Sequence, residues 1–283
     1  DELLSGTLKV GNYHYFTIYD PKERLICAAS FRERVLHHAL MNVCHVNFEK
    51  YQIFDSYASR LGKGTYAALQ RAFEYHKKFK WFLKLDVRKY FDSIDHNILK
   101  QLLAKRFKDD GLLKVFCKII DSYKTKDRKG LPIGNLTSQY FANHYLGFAD
   151  HFIKEQLQAS AYVRYMDDMV IWSDDKTKLL EIGNKFQSFI EFELALTLKP
   201  FCLNYSEKGL TFLGYTLYPN KVQLNSESRN RFVSKMKSYN FKLTSNVWDQ
   251  KEYQNHVIPL IAFTNHANSL GLRQKMMKSI EFG

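Results

Sequence analysis

Two adjacent aspartates, Asp167 and Asp168, interrupt a stretch of the chain that is otherwise strongly apolar. The segments beside them, residues 161–165 and 169–173, have the composition of two short strands, so the aspartates fall at the bend of a hairpin. Carboxylates inside an apolar hairpin destabilise the fold unless a cation neutralises them. Because aspartate is also common in ordinary tight turns, the pair by itself is compatible with a metal site and with a plain turn.

A third carboxylate favours the metal site. Asp86 ends a short apolar strand that the sequence predicts over residues 81–87. Phosphoryl transfer needs little covalent help from a protein, but it does need metal ions held by a few carboxylates on rigid backbone. Magnesium prefers such hard oxygen ligands. The three carboxylates are therefore candidate ligands for divalent metal ions.

The charge of the chain indicates a polyanionic partner. Its 283 residues carry a formal net charge of +13, with a pI near 9.4. A soluble protein this basic usually binds nucleic acid, although a merely basic surface is the alternative. The four cysteines lie far apart without a CxxC pair, which argues against a zinc ribbon and favours reduced thiols. No apolar run approaches the ~18 residues needed to cross a bilayer and no signal peptide is visible, so we expect a cytoplasmic protein without membrane contact.

Strands and helices intermix along the chain, which predicts an α+β fold rather than a doubly wound sheet. The predicted strands cover residues 13–19, 81–87, a hairpin at 161–173, and a terminal hairpin at 210–217 and 221–224. The predicted helices cover residues 30–46, 66–80, 136–158 and 177–194. A further helix is predicted from Ser93, with Asp92 or Ser93 as its N-cap. From Ser226 onward the pattern is helical and basic.

Four short segments follow one another in a characteristic order. Residues 84–92 read Lys-Leu-Asp-Val-Arg-Lys-Tyr-Phe-Asp, and residues 165–168 read Tyr-Met-Asp-Asp. These segments resemble motifs A and C of reverse transcriptases. Residues 194–199 lie where motif D falls, and residues 212–215, Phe-Leu-Gly-Tyr, resemble the primer grip of motif E. The shared order is far more specific than any one of these short matches.

The segment between motifs A and C narrows the resemblance to one group of reverse transcriptases. Residues 130–139 carry Ile-Gly and Ser-Gln where group II intron and retron enzymes typically carry Gln-Gly and Ser-Pro. This variant, together with residues 20–29 and 55–64, is similar to the reverse transcriptases of diversity-generating retroelements. The likeness covers the fingers and palm and fades after about Asn225.

The resemblance implies a right-hand polymerase fold with fingers, a palm whose antiparallel sheet packs on helices, and a partial helical thumb. On this basis residues 1–80 would form the fingers with part of the palm, residues 81–225 the palm with the catalytic motifs, and residues 226–283 the helical thumb.

The resemblance also implies roles in metal binding. Asp86 and Asp167 would bridge two Mg2+ ions, for which Mn2+ is the expected substitute, with Asp168 beside them as a weaker carboxylate. The backbone carbonyl of Val87 would be a further ligand.

Other residues would bind the nucleotide and the primer. Phe91 would be a steric gate that excludes a 2′-hydroxyl, or else a buried aromatic anchor. The nucleotide-binding set implied by the resemblance is Lys22, Arg24, Phe91, Ile133, Gly134, Gln139 and Lys199, and the primer grip is Phe212, Leu213 and Gly214. Lys22 and Arg24 could pair with the triphosphate or form exposed salt bridges. Lys199 could donate a proton to pyrophosphate or stabilise its charge, or it could be an ordinary residue at the end of a strand.

The function implied is an RNA-directed DNA polymerase that copies a template RNA into cDNA from deoxynucleoside triphosphates. Ile133 stands where relatives place an amide that can hydrogen-bond the nucleotide, and losing such a bond removes roughly 1 kcal/mol of control over geometry. We therefore expect error-prone copying of template adenines, as in diversity-generating retroelements. Such enzymes, encoded by bacteria or phages, act with a small, basic, helical accessory protein, which is the expected partner.

Other interpretations remain open at this point. A retron or antiphage-defence reverse transcriptase is a close alternative, although residues 222–224 read Val-Gln-Leu where retrons usually show Val-Thr-Gly. A nucleotidyl cyclase with a palm-like core and a non-catalytic RNA-binding scaffold are alternatives of other classes.

Overall fold

The computed structural model of the protein describes residues 2, 5–19, 23–126 and 128–281, and the side chains up to residue 278. The predicted turn at residues 20–22, which includes the candidate Lys22, lies outside the described residues. The strands are β1 (Tyr13–Ile18), β2 (Arg24–Ala29), β3 (Trp81–Asp86), β4 (Ala161–Tyr165), β5 (Asp168–Ser173), β6 (Cys202–Tyr205), β7 (Leu210–Phe212), β8 (Tyr215–Tyr218) and β9 (Lys221–Leu224).

The helices enclose these strands in a mixed fold. They are α1 (Phe31–Glu49), α2 (Thr65–Lys78), α3 (Tyr90–Ser93), α4 (His96–Arg106), α5 (Asp110–Asp121), α6 (Leu136–His151), α7 (Lys176–Leu194), α8 (Ser226–Thr244), α9 (Gln250–Thr264) and α10 (Leu270–Glu281), with a π-helical turn at Phe152–Gln156 after α6. In the described part of the chain, no helix is both long and apolar enough to span a membrane.

Three antiparallel sheets organise the described residues, as the predicted α+β class requires. The central sheet has the strand order β4-β5-β3-β6. A hairpin of β1 and β2 and a three-stranded sheet of order β7-β8-β9 flank it. In the central sheet, Asp86 at the end of β3 lies directly opposite Asp168 at the start of β5. The register of these two strands therefore brings together carboxylates that are far apart in sequence.

Both faces of the central sheet are apolar. Leu83 and Leu85 of β3 point into the larger cluster, where α1, α4, α5, α6 and α7 pack. Phe82 points the other way, into a second cluster with α2 and the β7-β8 hairpin. Because successive side chains of a strand alternate between faces, Lys84 and Asp86 share the face of Phe82. Both side chains are partly exposed.

The helices α8, α9 and α10 form a unit of their own. Phe232, Met236, Tyr253, Val257 and Met276 make a separate apolar cluster. Asn225 caps α8 by accepting a hydrogen bond from the Ser228 amide, so the change to a helical pattern predicted at residue 226 is confirmed. The unit meets the three-stranded sheet through the Tyr215 hydroxyl, which donates to the Phe263 carbonyl at 2.6 Å.

The predicted cap of the fourth helix is wrong. The carboxylate of Asp95, and not Asp92 or Ser93, accepts hydrogen bonds from the amides of Asn97 and Ile98. Ser93 instead donates to the carbonyls of Arg88 and Lys89, which closes the short helix α3. A single helix from Ser93 was predicted because one apolar face runs through both segments, but Ile94 is extended and separates α3 from α4.

Other element predictions are confirmed with small shifts, and several elements escaped prediction. Strands β1 and β3 and helices α1, α2, α6 and α7 lie where the apolar periodicity placed them. The terminal hairpin is a three-stranded sheet, because the chain turns at Leu213 and Gly214 with positive φ values of 51° and 90°. Strands β2 and β6 were not predicted because they are short and partly exposed. Helix α5 was not predicted either, although its apolar face and the capping residue Asp109 are visible in the sequence.

One buried charge fixes the strand that leads into the hairpin turn. The Arg164 side chain, on β4, is 0% exposed and makes a bidentate ion pair with Asp150 of α6, through Nε at 2.8 Å and Nη2 at 2.6 Å. Its guanidinium also donates to the side chain of Asn143 and to the carbonyl of Met166. Arg164 therefore ties the turn backbone to the helical layer beneath it.

We expect Asp150→Ala to lower the free energy of unfolding by about 3–5 kcal/mol, because it leaves a fully buried guanidinium without its counterion. Urea denaturation measures this change. Asp121→Ala, which breaks a surface ion pair with Lys100, is the control and should cost less than about 1 kcal/mol. Equal effects of the two variants would show that Arg164 is not an anchor of the fold.

Candidate active site

The site lies at the end of β3 and the β4-β5 turn. Tyr165 pairs with Asp168 across the turn, and Asp168 pairs with Asp86 in the neighbouring strand. Met166 adopts a left-handed conformation, with φ of 53°, so that the chain can reverse between the two strands. The turn therefore presents Asp167 and Asp168 beside Asp86 on rigid backbone, as the sequence predicted.

Only one of the two carboxylate oxygens of Asp86 has a hydrogen-bond partner among the described residues. Its Oδ2 accepts a hydrogen bond from Lys199 Nζ at 2.7 Å. Its Oδ1 is buried and has no hydrogen-bond partner among the described residues. A buried carboxylate oxygen without a partner is costly, so this atom is available to a cationic ligand.

Asp168 repeats this arrangement with a different lysine. Lys84 Nζ donates to Asp168 Oδ2 at 3.3 Å, and Asp168 Oδ1 is buried without a hydrogen-bond partner within the described ranges. Burial raises the pKa of Asp168 to about 6, against the lowering effect of Lys84, and the charges of Asp86 and Asp167 add to the increase. A raised pKa means that the charged form of the carboxyl group is disfavoured, so a further cation nearby would stabilise it.

Asp167 lies in the same electrostatic field. Burial raises the pKa of Asp167 above its ordinary value, and the negative charge of Asp86 adds to the increase. The positive charges of Lys199 and Arg24 act in the opposite direction. The structure therefore places two predicted nucleotide-binding cations, Lys199 and Arg24, close enough to influence the predicted metal ligand.

The backbone around Val87 is held in a fixed orientation. The Asp86 carbonyl accepts from the Lys199 amide, and the Arg88 amide donates to the Thr197 carbonyl, each at 2.8 Å. These two bonds flank an isolated antiparallel bridge between Val87 and Leu198. In such a bridge the carbonyl of the central residue points away from its partner. The Val87 carbonyl is therefore free of this ladder, as a metal ligand would need to be.

The donor chemistry fits divalent metal ions only in part. The two orphan oxygens of Asp86 and Asp168 are hard ligands of the kind that Mg2+ prefers. In the described residues, however, no group of three or more His, Cys, Asp or Glu side chains is placed to hold a metal ion as it stands. Neutralising charge comes from Lys199, which bonds the other oxygen of Asp86, and from Lys84, whose ammonium lies within 3.3 Å of both oxygens of Asp168.

The segment between motifs A and C is fastened to β2. The Ile133 carbonyl accepts from the Cys27 amide at 2.8 Å. The Asn135 side chain accepts from the Ala29 amide and donates to the Cys27 carbonyl, both at 3.1 Å. Gly134 has φ of +120°, and a Cβ there would meet Ile26 at 2.9 Å. The close contact with β2 therefore favours glycine at this position, and the role of Gly134 in nucleotide binding stays a prediction.

Phe91 and Gln139 have local partners. Phe91 is half-buried on α3 and packs against the larger apolar cluster, and its carbonyl accepts from the Leu131 amide at 2.8 Å. Gln139, on α6, accepts a hydrogen bond from the Ser59 hydroxyl at 3.3 Å. The ring of Phe91 thus has the packing of an aromatic anchor, and its role as a gate stays a prediction.

The candidate primer grip is a tight turn between β7 and β8. Phe212 is fully buried, while Leu213 and Gly214 are half-buried at the turn. A Cβ on Gly214 would meet Phe263 and Ser228 at 3.0 Å, so the turn packs closely on the helical unit. This close approach and the positive φ explain glycine at the position.

Two polar residues of the site escaped the sequence analysis, namely Lys84 and Asn135. Lys84 lies within motif A, two residues before Asp86, which puts both side chains on one face of the strand. Asn135 stands before α6 as a typical N-cap would, but its side chain bonds β2 instead of the helix. Only the tertiary structure shows that the Asn135 side chain binds β2.

Comparison with known proteins defines the family. Residues 19–217, more than half of the chain, match the reverse transcriptase (RNA-dependent DNA polymerase) family. The chain belongs to this family.

Two relatives are proteins of fungal introns. The chain is 29% identical over 138 residues to an uncharacterized 91 kDa protein in the cob intron of Schizosaccharomyces pombe, covering 47% of this chain and 17% of that protein. It is 24% identical over 134 residues to a putative COX1/OXI3 intron 2 protein of Saccharomyces cerevisiae, covering 45% of this chain and 16% of that protein. The matches thus span about a sixth of each relative.

A solved structure with the same fold is apo telomerase from Candida tropicalis. It aligns with a TM-score of 0.62 and 14% sequence identity, covering 96% of this chain and 59% of that chain. At this identity the likeness concerns the fold alone, and it confirms the right-hand polymerase fold.

We expect Asn135→Ala to lower the free energy of unfolding by about 1–3 kcal/mol, because the Ala29 amide and the Cys27 carbonyl would lose their partner in a buried place. Urea denaturation measures the loss, and faster hydrogen exchange in residues 24–29 would locate it. Asn204→Ala, at an exposed position of β6, should change stability by less than about 0.5 kcal/mol. No difference between the variants would argue against this fastening of β2.

Proposed function

We propose that this chain forms the catalytic core of an RNA-directed DNA polymerase that copies a template RNA into cDNA by two-metal nucleotidyl transfer. The observation that carries the proposal is the pairing of Asp86 with Asp168 in adjacent strands, each with one buried oxygen that lacks a hydrogen-bond partner. Membership of the reverse transcriptase family supports it.

The carboxylates and a carbonyl would hold the metal. Magnesium, for which manganese is the expected substitute, supplies charge neutralisation and activation of the primer hydroxyl when bound. Asp86 and Asp167 would hold it, with Asp168 beside them and the Val87 carbonyl as a further oxygen ligand. The backbone of Val87 is fixed by the bonds of its two neighbours, so this oxygen is pre-positioned.

Other side chains would position the nucleotide. The positive charges of Arg24 and Lys199 lower the pKa of Asp167, and with Lys22 these residues would bind the triphosphate through charge-assisted hydrogen bonds. Phe91 follows Asp86 by five residues and would exclude a 2′-hydroxyl by its bulk. Gln139 and the backbone at Gly134 would complete the contacts to the nucleotide.

One apolar cluster of the chain coincides with a proposed lobe. We assign residues 1–80 to the fingers with part of the palm, residues 81–225 to the palm and residues 226–283 to the thumb. The separate cluster within α8, α9 and α10 supports the last boundary.

The decisive experiment is extension of a DNA primer on an RNA template in the presence of magnesium. We expect Asp86→Asn and Asp167→Asn each to lower the rate by about a thousandfold, since loss of a metal-binding charge removes several kcal/mol of transition-state stabilisation. Asp121→Asn, on the surface of α5, should leave the rate unchanged.

Other results of this experiment would contradict the proposal or favour another function. Retained extension by Asp167→Asn would refute the assignment of the metal ligands. A cyclic nucleotide product would favour a nucleotidyl cyclase. No extension by the unaltered protein, with RNA binding intact, would favour a non-catalytic scaffold.

We further propose that copying is error-prone at template adenines, as in a diversity-generating retroelement. Ile133 is half-buried and presents an apolar side chain from a segment that β2 holds in place. A side chain of this kind cannot hydrogen-bond a nucleotide, so geometry would be less strictly controlled. The accompanying partner would be a small, basic, helical protein that binds the RNA, and the location would be the cytoplasm of a bacterium.

Replacing Ile133 by glutamine tests the fidelity proposal. A restored hydrogen bond of roughly 1 kcal/mol should lower misincorporation opposite template adenine about fivefold, as measured by sequencing of the cDNA. Ile133→Leu keeps the apolar character and serves as the matched control. Equal error rates for all three proteins would refute the role of Ile133. A template and variable repeat beside the gene would favour this proposal over a retron or antiphage-defence enzyme.

A further inference from the structure

Lys84 connects two parts of the molecule that belong to different sheets. Its Nζ donates to the Thr211 carbonyl of β7 at 2.8 Å, and it also donates to Asp168 Oδ2 at 3.3 Å. The same ammonium lies 3.2 Å from Asp168 Oδ1. The side chain is only 26% exposed, so these contacts are partly shielded from solvent.

The strand that Lys84 reaches leads directly into the candidate primer grip. β7 pairs with β8 on one side only, so it is an edge of the three-stranded sheet. Thr211 is two residues before Leu213 and three before Gly214, which form the turn. A hydrogen bond to the edge carbonyl therefore holds the base of this turn against the central sheet.

Lysine is suited to such a link. Its ammonium carries three donors and a full charge, so it can serve a carboxylate and a carbonyl at once. Hydrogen bonds from a charged donor are also stronger than neutral ones. Lys199 shows the contrast, since its half-exposed ammonium bonds only Asp86 Oδ2 among the side-chain contacts of the described residues.

We propose that Lys84 is a positioning residue that couples the primer-grip turn to Asp168, so that the primer end and the metal-binding carboxylate keep a fixed separation. The proposal rests on the proposed polymerase function, because the turn acts as a primer grip only in a polymerase. Neutralisation of Asp168 alone would require only one of the two bonds. The second bond, to Thr211, gives Lys84 its positioning role.

The first test measures the coupling without any substrate. We expect Lys84→Met, which keeps most of the aliphatic stem, to speed hydrogen exchange of the amides of residues 212–214 about tenfold, because the turn opens more often. Lys100→Met is the matched control, since Lys100 is also 26% exposed and bonds the carboxylate of Asp121. Unchanged exchange in Lys84→Met would overturn the proposal.

The second test separates positioning from charge neutralisation. In single-nucleotide extension, we expect Lys84→Met to raise the KM for primer–template about tenfold and to leave the KM for the deoxynucleotide within about twofold. Lys84→Arg keeps the charge and several donors and should restore most of the affinity for primer–template. A lower kcat with an unchanged KM for primer–template would assign Lys84 to neutralisation of Asp168 and overturn the coupling.

The two tests distinguish failure of the polymerase function from failure of the coupling by Lys84. Absence of extension by the unaltered protein would contradict the polymerase function, whereas the exchange measurement would still decide whether Lys84 holds the turn. If Lys84→Met loses cooperative unfolding, Lys84→Leu replaces it in both tests, since it also lacks a donor for the Thr211 carbonyl. The same two outcomes then support or overturn the proposal.

Discussion

The buried ion pair between Arg164 and Asp150 is the interaction on which the candidate site depends. The side chains are 0% exposed, and the guanidinium also binds the Met166 carbonyl inside the turn that carries the aspartates. The backbone of Arg164 is bonded as well, since its amide donates to the Asp55 carbonyl and its carbonyl accepts from the Tyr57 amide. Because an unpaired buried charge costs several kcal/mol, this strand has little freedom to shift. The turn beyond it is therefore rigid enough to hold carboxylates in one place.

Charge balance decides the character of the site itself. Asp86 and Asp168 face each other across two strands, and each carboxylate gives one oxygen to a lysine. The second oxygen of each carboxylate is buried and lacks a hydrogen-bond partner among the described residues, although Asp168 Oδ1 lies 3.2 Å from the Lys84 ammonium. Buried oxygens of this kind are uncommon and are consistent with a bound cation. The two lysines differ in placement, because Lys199 is half-exposed while Lys84 is held between two sheets. Lys199 can therefore leave its carboxylate easily, whereas Lys84 is part of the framework.

The sequence predicted the main elements of the fold for a simple reason. Strongly apolar strands such as β3 and the β4-β5 hairpin, and helices with one apolar face such as α7, follow from local periodicity. The cap of α4 was placed wrongly because Asp92, Ser93 and Asp95 are all good capping residues, and only the extended conformation of Ile94 selects Asp95. The roles of Asn135 and Lys84 were not visible, because their partners Cys27 and Thr211 are more than one hundred residues away in the chain.

The sequence by itself determined that three carboxylates stand at strand ends, that the chain is basic, and that its motifs follow the order of reverse transcriptases. These features depend on residue types and on spacing, which are local properties. Only the tertiary structure decided that Asp86 lies opposite Asp168, that Arg164 is neutralised by Asp150, and that one ammonium joins Asp168 to β7. Such pairings arise from strand register and from packing between distant segments, and the spacing of residues along a chain does not specify either of them.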